Sequence, residues 1–275
     1  MKFTKMHGAG NDYIYVNGFE EWVPDPTALS IRISDRHFGI GGDGLILILP
    51  SKTADFRMRM FNADGSEGEM CGNAIRCVAK YVYDHVMTRK REISIETLAG
   101  IHQLTLFTGE NNLVDQVCVW MGKPGFSDET EYPDMLGRSF PIPVTVADRV
   151  YPLHCVSMGN PHAVIFVGDV DNFPVKDVGM QIQRLPMFPK QVNVEFIRVL
   201  SKTSLQMRVW ERGSGETLSC GTGACAAAAA AMRLGLVERR CSVKLPGGTL
   251  EIEWKADGIY MTGPATLVFE GEINV

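Results

Sequence analysis

The chain repeats itself. Glu67-Gly68-Glu69-Met70-Cys71-Gly72-Asn73 returns as Glu216-Thr217-Leu218-Ser219-Cys220-Gly221-Thr222, and the lead-in Met58-Arg59-Met60-Phe61-Asn62 returns as Met207-Arg208-Val209-Trp210-Glu211. The offset is 220 − 71 = 149, and it also carries Gly10-Asn11 onto Gly159-Asn160 and the apolar run after Gly44 onto the run after Asn193. Self-similarity at one fixed offset points to two homologous halves. In a chain of 275 residues each half has the size of an ordinary domain, and 45% hydrophobic residues suffice for a core in each.

The charge balance narrows the partners. With 27 basic against 32 acidic residues, a net charge of −5, the chain has no basic tract to neutralise a phosphate backbone, so no nucleic-acid partner is expected. The longest uninterrupted run of large aliphatic residues, Leu45 to Leu49, is far too short for a bilayer, and Met1-Lys2-Phe3-Thr4-Lys5 leads into no signal-like apolar region. The expectation is a cytoplasmic protein with no membrane partner. Seven cysteines, an odd number without secretory features, then read as reduced thiols.

Along the chain, residues 13–16 read as a strand, and Asp25-Pro26 supplies an N-cap and first-turn proline for a helix with Leu29 and Ile33 on one face, stopped by Gly39. Gly39-Ile40-Gly41-Gly42-Asp43-Gly44 matches G-x-G-x-x-G, but a dinucleotide site needs a strand before the glycines and a helix after. The order here is reversed, and a tight turn with φ > 0 positions is preferred. A strand over Met58 to Phe61 leads to the Asn62-Ala63-Asp64-Gly65 turn, and Ile75, Val78, Ala79, Val82 and Val86 mark one face of a helix beginning after Cys71. Strands follow near 93–97, 103–107 and 116–120, then a Pro-rich acidic stretch from Pro124 to Pro143 that suits a boundary. The second half restarts with a strand at Ala163 to Phe166, helical spacing at Val175, Val178, Ile182 and Leu185, and strands near 192–199 and 205–210. Cys220 opens a helix of almost only small residues through Ala231, a packing device that lets strands approach closely. Strands near 242–245, 250–254 and 265–270 end the chain, and each half reads as α+β, several strands around one long helix.

Both Cys71 and Cys220 therefore stand at helix N-termini, where unpaired N–H groups and the helix dipole favour a thiolate and seat a carboxylate. If the halves pack about a pseudo-two-fold axis, a substrate carbon held between the thiols loses its proton to one face and regains one from the other, which inverts a stereocentre. Closed zinc binding does not fit, because Cys71 and Cys77 are six apart and Cys220 and Cys225 five. A thiol hydrolase would pair one Cys with a His, and His162 in Gly159-Asn160-Pro161-His162 is the only His in a motif-like setting, whereas the repeat pairs Cys with Cys. Cys77, Cys118, Cys155, Cys225 and Cys241 read as small buried hydrophobes. Where the copies differ, Asn62 against Glu211 and Gly44 against Asn193, the second copy supplies charge. Glu211-Arg212 suits the ammonium and carboxylate of a zwitterion.

These motifs resemble the diaminopimelate epimerase family almost end to end: Met6-His7-Gly8-Ala9-Gly10-Asn11-Asp12, Phe61-Asn62-Ala63-Asp64-Gly65-Ser66-Glu67, Cys71-Gly72-Asn73, Met158-Gly159-Asn160-Pro161-His162, Glu211-Arg212-Gly213, Cys220-Gly221-Thr222-Gly223-Ala224-Cys225, Leu245-Pro246-Gly247-Gly248 and Met261-Thr262-Gly263-Pro264. The resemblance implies an α+β fold of two pseudo-symmetric domains, each a curved, mostly antiparallel, barrel-like sheet around a central helix. The halves are placed at 1–119, completed by a C-terminal strand over 265–275, and 120–264. It further implies a homodimeric isomerase acting on LL- and meso-diaminopimelate without cofactor, neither pyridoxal phosphate nor metal. By motif, Cys71 and Cys220 become base and acid, and Gly72, Asn73, Gly221 and Thr222 hold the reacting carboxylate. Glu211 binds the reacting amino group with His162 nearby, and Asn11, Asn62, Asn160, Asn193 and Arg212 fix the distal end. Gly44 stands where some members carry Gln, so only its backbone can make that contact, and Phe269 stands where a Tyr can join the dimer contact.

Overall fold

The structure is a computed structural model, and it describes residues 1–128 and 140–274. It divides into two compact units, Met1–Trp120 with Thr262–Val275, and Met121–Met261. Much of the Pro-rich stretch read as a boundary, 129–139, lies outside the described residues.

The repeat is built into the helices. The first unit holds α1 (Pro26–Ser34) and α2 (Gly72–Asp84), the second α3 (Val175–Gln183) and α4 (Gly221–Arg233). Each helix of the second unit starts and ends 149 residues after its counterpart, since 175 − 26, 183 − 34, 221 − 72 and 233 − 84 all give that number. The strands follow the same plan. In the first unit the hydrogen-bonded order is Thr266–Glu272, Lys2–Gly8, Asn11–Asn17, Gly44–Leu49, Phe56–Asn62, Glu92–Thr97, Gly100–Thr108 and Val114–Trp120. Two of these pairings are parallel, Asn11–Asn17 with Gly44–Leu49 and Phe56–Asn62 with Glu92–Thr97. Parallel neighbours need a crossover. Here α1 and α2 supply it. In the second unit, strands Pro161–Phe166 and Asn193–Ser201, then Ser204–Glu211 and Arg240–Leu245, are the parallel pairs, crossed over by α3 and α4.

The register repeats as well. Ile14 pairs with Leu45 in the first unit and Ala163 with Val194 in the second, the same positions 149 residues on (163 − 14, 194 − 45). A crossover that leaves Asn62 or Glu211 at a strand end must turn into its helix within ten residues, and that turn carries the cysteine in both units.

Helix α2 packs on strands Lys2–Gly8, Asn11–Asn17, Gly100–Thr108 and Val114–Trp120. Its face Ile75, Val78, Ala79 and Val82 is buried, but the helix stops at Asp84, and Val86, expected on the same face, is exposed with φ 62. Helix α4 is buried nearly all round, from Gly223 through Met232, and touches six strands of its unit. Only residues as small as alanine allow strands to close on a helix from so many sides.

Helix α1 begins as expected, with the Asp25 carboxylate accepting from the Ala28 N–H at 3.0 Å. Gly39 does not stop it. Asp35 leaves helical geometry at ψ 124, and its carboxylate accepts from the N–H groups of His37 and Phe38 at 2.7 and 2.8 Å. The chain then folds back so that Ile40 and Gly41 both donate to the Ile33 carbonyl, at 2.8 and 2.9 Å. Gly39 is needed at that return, because a Cβ there would lie 2.6 Å from the carbonyl oxygens of Arg32 and Ile33.

Buried thiols make stability pH-dependent. Burial pushes the Cys77 thiol from its ordinary 9.0 up to about 11, and the Cys241 thiol up to about 12. The unfolded chain then releases these protons before the folded one does, so stability is full below pH ~9 and falls as pH rises toward about 11. Urea unfolding at about pH 8 and about pH 10.5 should show that loss, up to about 1.4 kcal/mol per pH unit for each thiol. Cys77→Ala should flatten the slope, and an unchanged slope would refute the assignment.

Candidate active site

Strand Phe56–Asn62 ends at Asn62, a tight turn follows, and the chain enters α2 through Cys71, which sits at the N-cap in extended geometry (φ −133, ψ 118). Its thiol donates to Asn11 Oδ1 at 3.2 Å. Asn11 is held in turn, its Nδ2 donating to Asp43 Oδ2 at 2.6 Å. Behind it lies a charge network: Arg36 makes a two-pronged contact to Asp12 (3.0 and 2.6 Å) and reaches Asp43 at 3.0 Å, while Lys5 pairs with Asp12 at 2.6 Å. Burial works against the Asp12 charge, but hydrogen bonds from Arg36 and Lys5 hold its carboxyl below the usual range. Burial and the neighbouring Asp12 push the Asp43 carboxyl up.

Gly72 opens α2, and Asn73 follows with its side chain turned inward, Oδ1 accepting from Arg76 Nη2 at 2.8 Å. The Asn73 amide oxygen is therefore engaged inside the unit. Arg76 is fully buried and spans this first turn, donating also to the Gly72 carbonyl at 3.0 Å and to the Pro264 carbonyl at 3.3 Å. Gly44 faces Asn62 across the strand pair, and a Cβ there would fall 2.0 Å from the Phe61 carbonyl oxygen, so this position admits backbone contact alone. Asn62 Nδ2 donates to Ser66 Oγ at 2.9 Å.

In the second unit, Cys220 caps α4 in the same extended geometry (φ −123, ψ 109), and its sulfur accepts from the Gly223 N–H at 3.4 Å. From there a connected chain of polar groups runs inward. Thr222 Oγ1 lies 3.6 Å from the sulfur, Asn160 Nδ2 donates to Thr222 Oγ1 at 3.4 Å, and Asn160 Oδ1 meets His162 Nε2 at 3.0 Å. His162 is fully buried, with Nδ1 2.6 Å from Glu195 Oε1. On the other side of the sulfur, Glu211 is hydrogen-bonded to the thiol and to Thr217. Asn193 joins the neighbouring segments, donating to the Pro161 carbonyl at 3.2 Å and accepting from the Arg212 N–H at 2.9 Å. Arg212 itself extends to the surface.

A helix N-terminus alone favours the thiolate. At Cys220 the surroundings reverse that expectation. Burial, then the carboxyls of Glu211 and Glu195, push this thiol well above its ordinary range, and the contacts from Thr222 and Gly223 only moderate the effect. Burial also raises the Glu211 carboxyl, with Glu195 adding to it. Thus Cys71 and Asn11 are joined in one unit, and Asn160, His162, Glu211, Cys220 and Thr222 in the other. Glu195, Asp43 and Arg76 were not singled out from the sequence. The signal for Glu195 was a lone acid inside the apolar run Val192 to Ile197, and for Arg76 a charge between the apolar Ile75 and Cys77.

The family model described as diaminopimelate epimerase matches residues 3–126 and 154–268. The chain belongs to the diaminopimelate epimerase family. A diaminopimelate epimerase of Acetivibrio thermocellus is 54% identical over 278 residues, covering 100% of this chain and 99% of its own. One of Methanococcus maripaludis (strain C5) is 55% identical over 280 residues, with 100% of both chains covered. Among solved structures, a probable proline racemase from Agrobacterium radiobacter K84 superposes with a TM-score of 0.75 at 15% identity, covering 100% of this chain and 93% of that one. At that identity the likeness concerns the fold, which the epimerase family shares with this racemase.

Proposed function

We propose that this protein interconverts LL-2,6-diaminopimelate and meso-diaminopimelate, a cofactor-independent isomerase reaction of lysine and peptidoglycan-precursor synthesis. The observation that carries it is a cysteine at the N-cap of α2 and again at the N-cap of its counterpart α4, in a chain of this family. One cysteine, as thiolate, takes the α-proton from one face of the reacting carbon. The other, as thiol, returns a proton to the opposite face, and the two exchange roles with direction. The helix N-termini at Gly72 and Asn73 and at Gly221 and Thr222 receive the α-carboxylate, whose charge grows as the proton leaves. Glu211, with His162 behind it, takes the α-ammonium. Asn11, Asn62, Asn160, Asn193, Arg212 and the backbone at Gly44 hold the distal amino-acid end.

Proton NMR in D₂O tests this directly. Incubated separately, LL-diaminopimelate should lose its α-proton signal while glutamate, proline and histidine keep theirs. Deuterium should appear first in the newly formed epimer, since the donor thiol exchanges with solvent before substrate arrives. Exchange of proline or glutamate in place of diaminopimelate would overturn the substrate, and equal early labelling of both epimers would overturn the two-base scheme.

Arg212 supports the distal site through its fork of donors, fixed at the backbone by Asn193. Arg212→Lys keeps the charge and loses the planar two-pronged geometry, so kcat/KM should fall by roughly 1.5–3 kcal/mol, about 10- to 150-fold. A wild-type kcat/KM in that variant would remove Arg212 from the site.

A cytoplasmic homodimer completes the proposal. Leu267, Val268 and Phe269 are successive exposed residues of the C-terminal strand, at the register shift opposite Lys5 and Met6. Three adjoining exposed apolar side chains are surface that a second copy could cover, and sedimentation velocity measures whether one does.

A further inference from the structure

We propose that Glu195 is a positioning residue for this reaction: it fixes the His162 ring and, through Asn160 and Thr222, the setting of the Cys220 thiol. The inference rests on the two-thiol function proposed above.

Glu195 is fully buried on strand Asn193–Ser201, where it pairs with Val164 on one side and Val209 on the other. One carboxyl oxygen lies 2.6 Å from His162 Nδ1, and the other is buried with no hydrogen-bond partner among the described residues. Burying a carboxyl is costly, and leaving one of its oxygens unpartnered adds to the cost. The fold does not require it. The equivalent position in the first unit, 195 − 149 = 46, is Ile46, equally buried and paired in the same register with Tyr15 and Met60. The same architecture thus holds an isoleucine where the second unit keeps an acid.

The neighbours diverge in the same direction. His162 corresponds to Tyr13 (162 − 149) and Glu211 to Asn62 (211 − 149), so the ionisable set around the thiol was placed in one unit while Cys and Gly stayed in both. The glycine three residues after the cysteine completes the geometry. A Cβ on Gly223 would lie 2.7 Å from Glu195 Oε1 and 3.2 Å from Cys220 Sγ, so the carboxyl and the sulfur converge on the point where a side chain would begin. Glu195 therefore reaches the Cys220 half-site by two routes: across Gly223 through space, and through His162, Asn160 and Thr222 by hydrogen bonds. With Nδ1 tied to Glu195, the imidazole has one orientation, and its Nε2 faces Asn160. Without that tie the ring is free to rotate and the chain to Thr222 loses its anchor.

The test uses the full-length protein and two variants, Glu195→Gln and Glu195→Ile, the latter installing the first unit's residue. In both, kcat for LL-diaminopimelate should fall about 10- to 100-fold, taking as the scale the loss when the partner that orients a metal-bound histidine is removed. KM should rise by less than kcat falls, because the substrate contacts of Asn160 and Thr222 are loosened and not removed. The His162 ring signals in proton–nitrogen NMR should shift in Glu195→Gln without substrate present, reporting the exchange of a carboxyl for a neutral amide at Nδ1. Glu195→Ile, which leaves His162 Nδ1 buried without its partner, should melt below wild type, and Glu195→Gln, whose amide oxygen can still accept there, close to it. Wild-type kcat in either folded variant, an unmoved His162 signal, or a parallel collapse of kcat and thermal midpoint in both would overturn the inference. If the wild-type protein itself leaves the diaminopimelate α-proton in place, the proposed function fails instead, and the His162 signals still report whether Glu195 holds the ring.

Discussion

Replacing Cys71 or Cys220 by serine should lower epimerisation of diaminopimelate by roughly 10²- to 10⁴-fold or more, since in the proposed scheme each variant loses a group that moves a proton in the transition state. The two variants should not be equivalent. With one thiol left, a proton can still be taken from one face and returned to that face, which exchanges it for solvent deuterium without inverting the carbon. Each single-cysteine variant should therefore wash the α-proton out of one epimer and leave the other untouched, and the two variants should choose opposite epimers. Chiral chromatography with mass detection in D₂O reads both outcomes. Retained epimerisation in either variant, or exchange of the same epimer by both, would be incompatible with one thiol on each face.

An asymmetry in the charged surroundings belongs to the same picture. The Cys220 thiol is pushed up by burial and then by two carboxyls, whereas beside Cys71 the network of Asp12 and Asp43 is met by Lys5 and Arg36. Two half-sites of common ancestry have thus acquired different electrostatic surroundings on the same backbone.

How legible this was in the sequence depends on which kind of signal carried it. The repeat located both cysteines, and because a repeat copies backbone geometry, it also carried the helix bounds and the strand register at an offset of 149 (221 − 72). Apolar periodicity recovered α1 and the buried face of α2. What it lost were features decided by single turns. The hairpin of strands Ile142–Val146 and Arg149–Ser157 turns on Ala147 and Asp148, both at positive φ (48 and 61). No glycine marks that turn, so the hairpin was absorbed into the boundary stretch or passed over. Strand Gly258–Pro264 was missed for its Met-Thr-Gly-Pro end. The cysteines and the polar residues beside them were legible by motif, and the residues one layer further in were not. Glu195 and Arg76 act by contacts with residues 33 and 188 positions away (195 − 162, 264 − 76), and no local pattern encodes such a partner.

Arg76→Leu should destabilise the protein by about 3–5 kcal/mol, because charged hydrogen bonds are worth roughly 1.5–3 kcal/mol each and buried acceptors left without a donor add their desolvation cost. The guanidinium joins three acceptors that belong to different segments: the Gly72 carbonyl and Asn73 Oδ1 in the first turn of α2, and the Pro264 carbonyl in the returning C-terminal segment of the same unit. Gly8 closes over it, with room for no side chain, since a Cβ there would meet the Asn73 carbonyl oxygen at 2.7 Å and Arg76 Nη2 at 3.1 Å. The second unit manages the same turn with Cys225 at the equivalent position (225 − 76 = 149), so the arginine is a feature of one half and not of the helix as such. Arg76→Lys should rescue little, as a single ammonium cannot reproduce a planar fork serving three directions. At about 2–4 °C per kcal/mol for a protein of this size, both variants should melt on the order of 10 °C below wild type. The turn that Arg76 braces begins directly after Cys71, so epimerisation at temperatures where Arg76→Leu is still folded should fall as well. A melting temperature within about 2 °C of wild type would mean that the buried guanidinium stabilises nothing beyond the cost of its own burial.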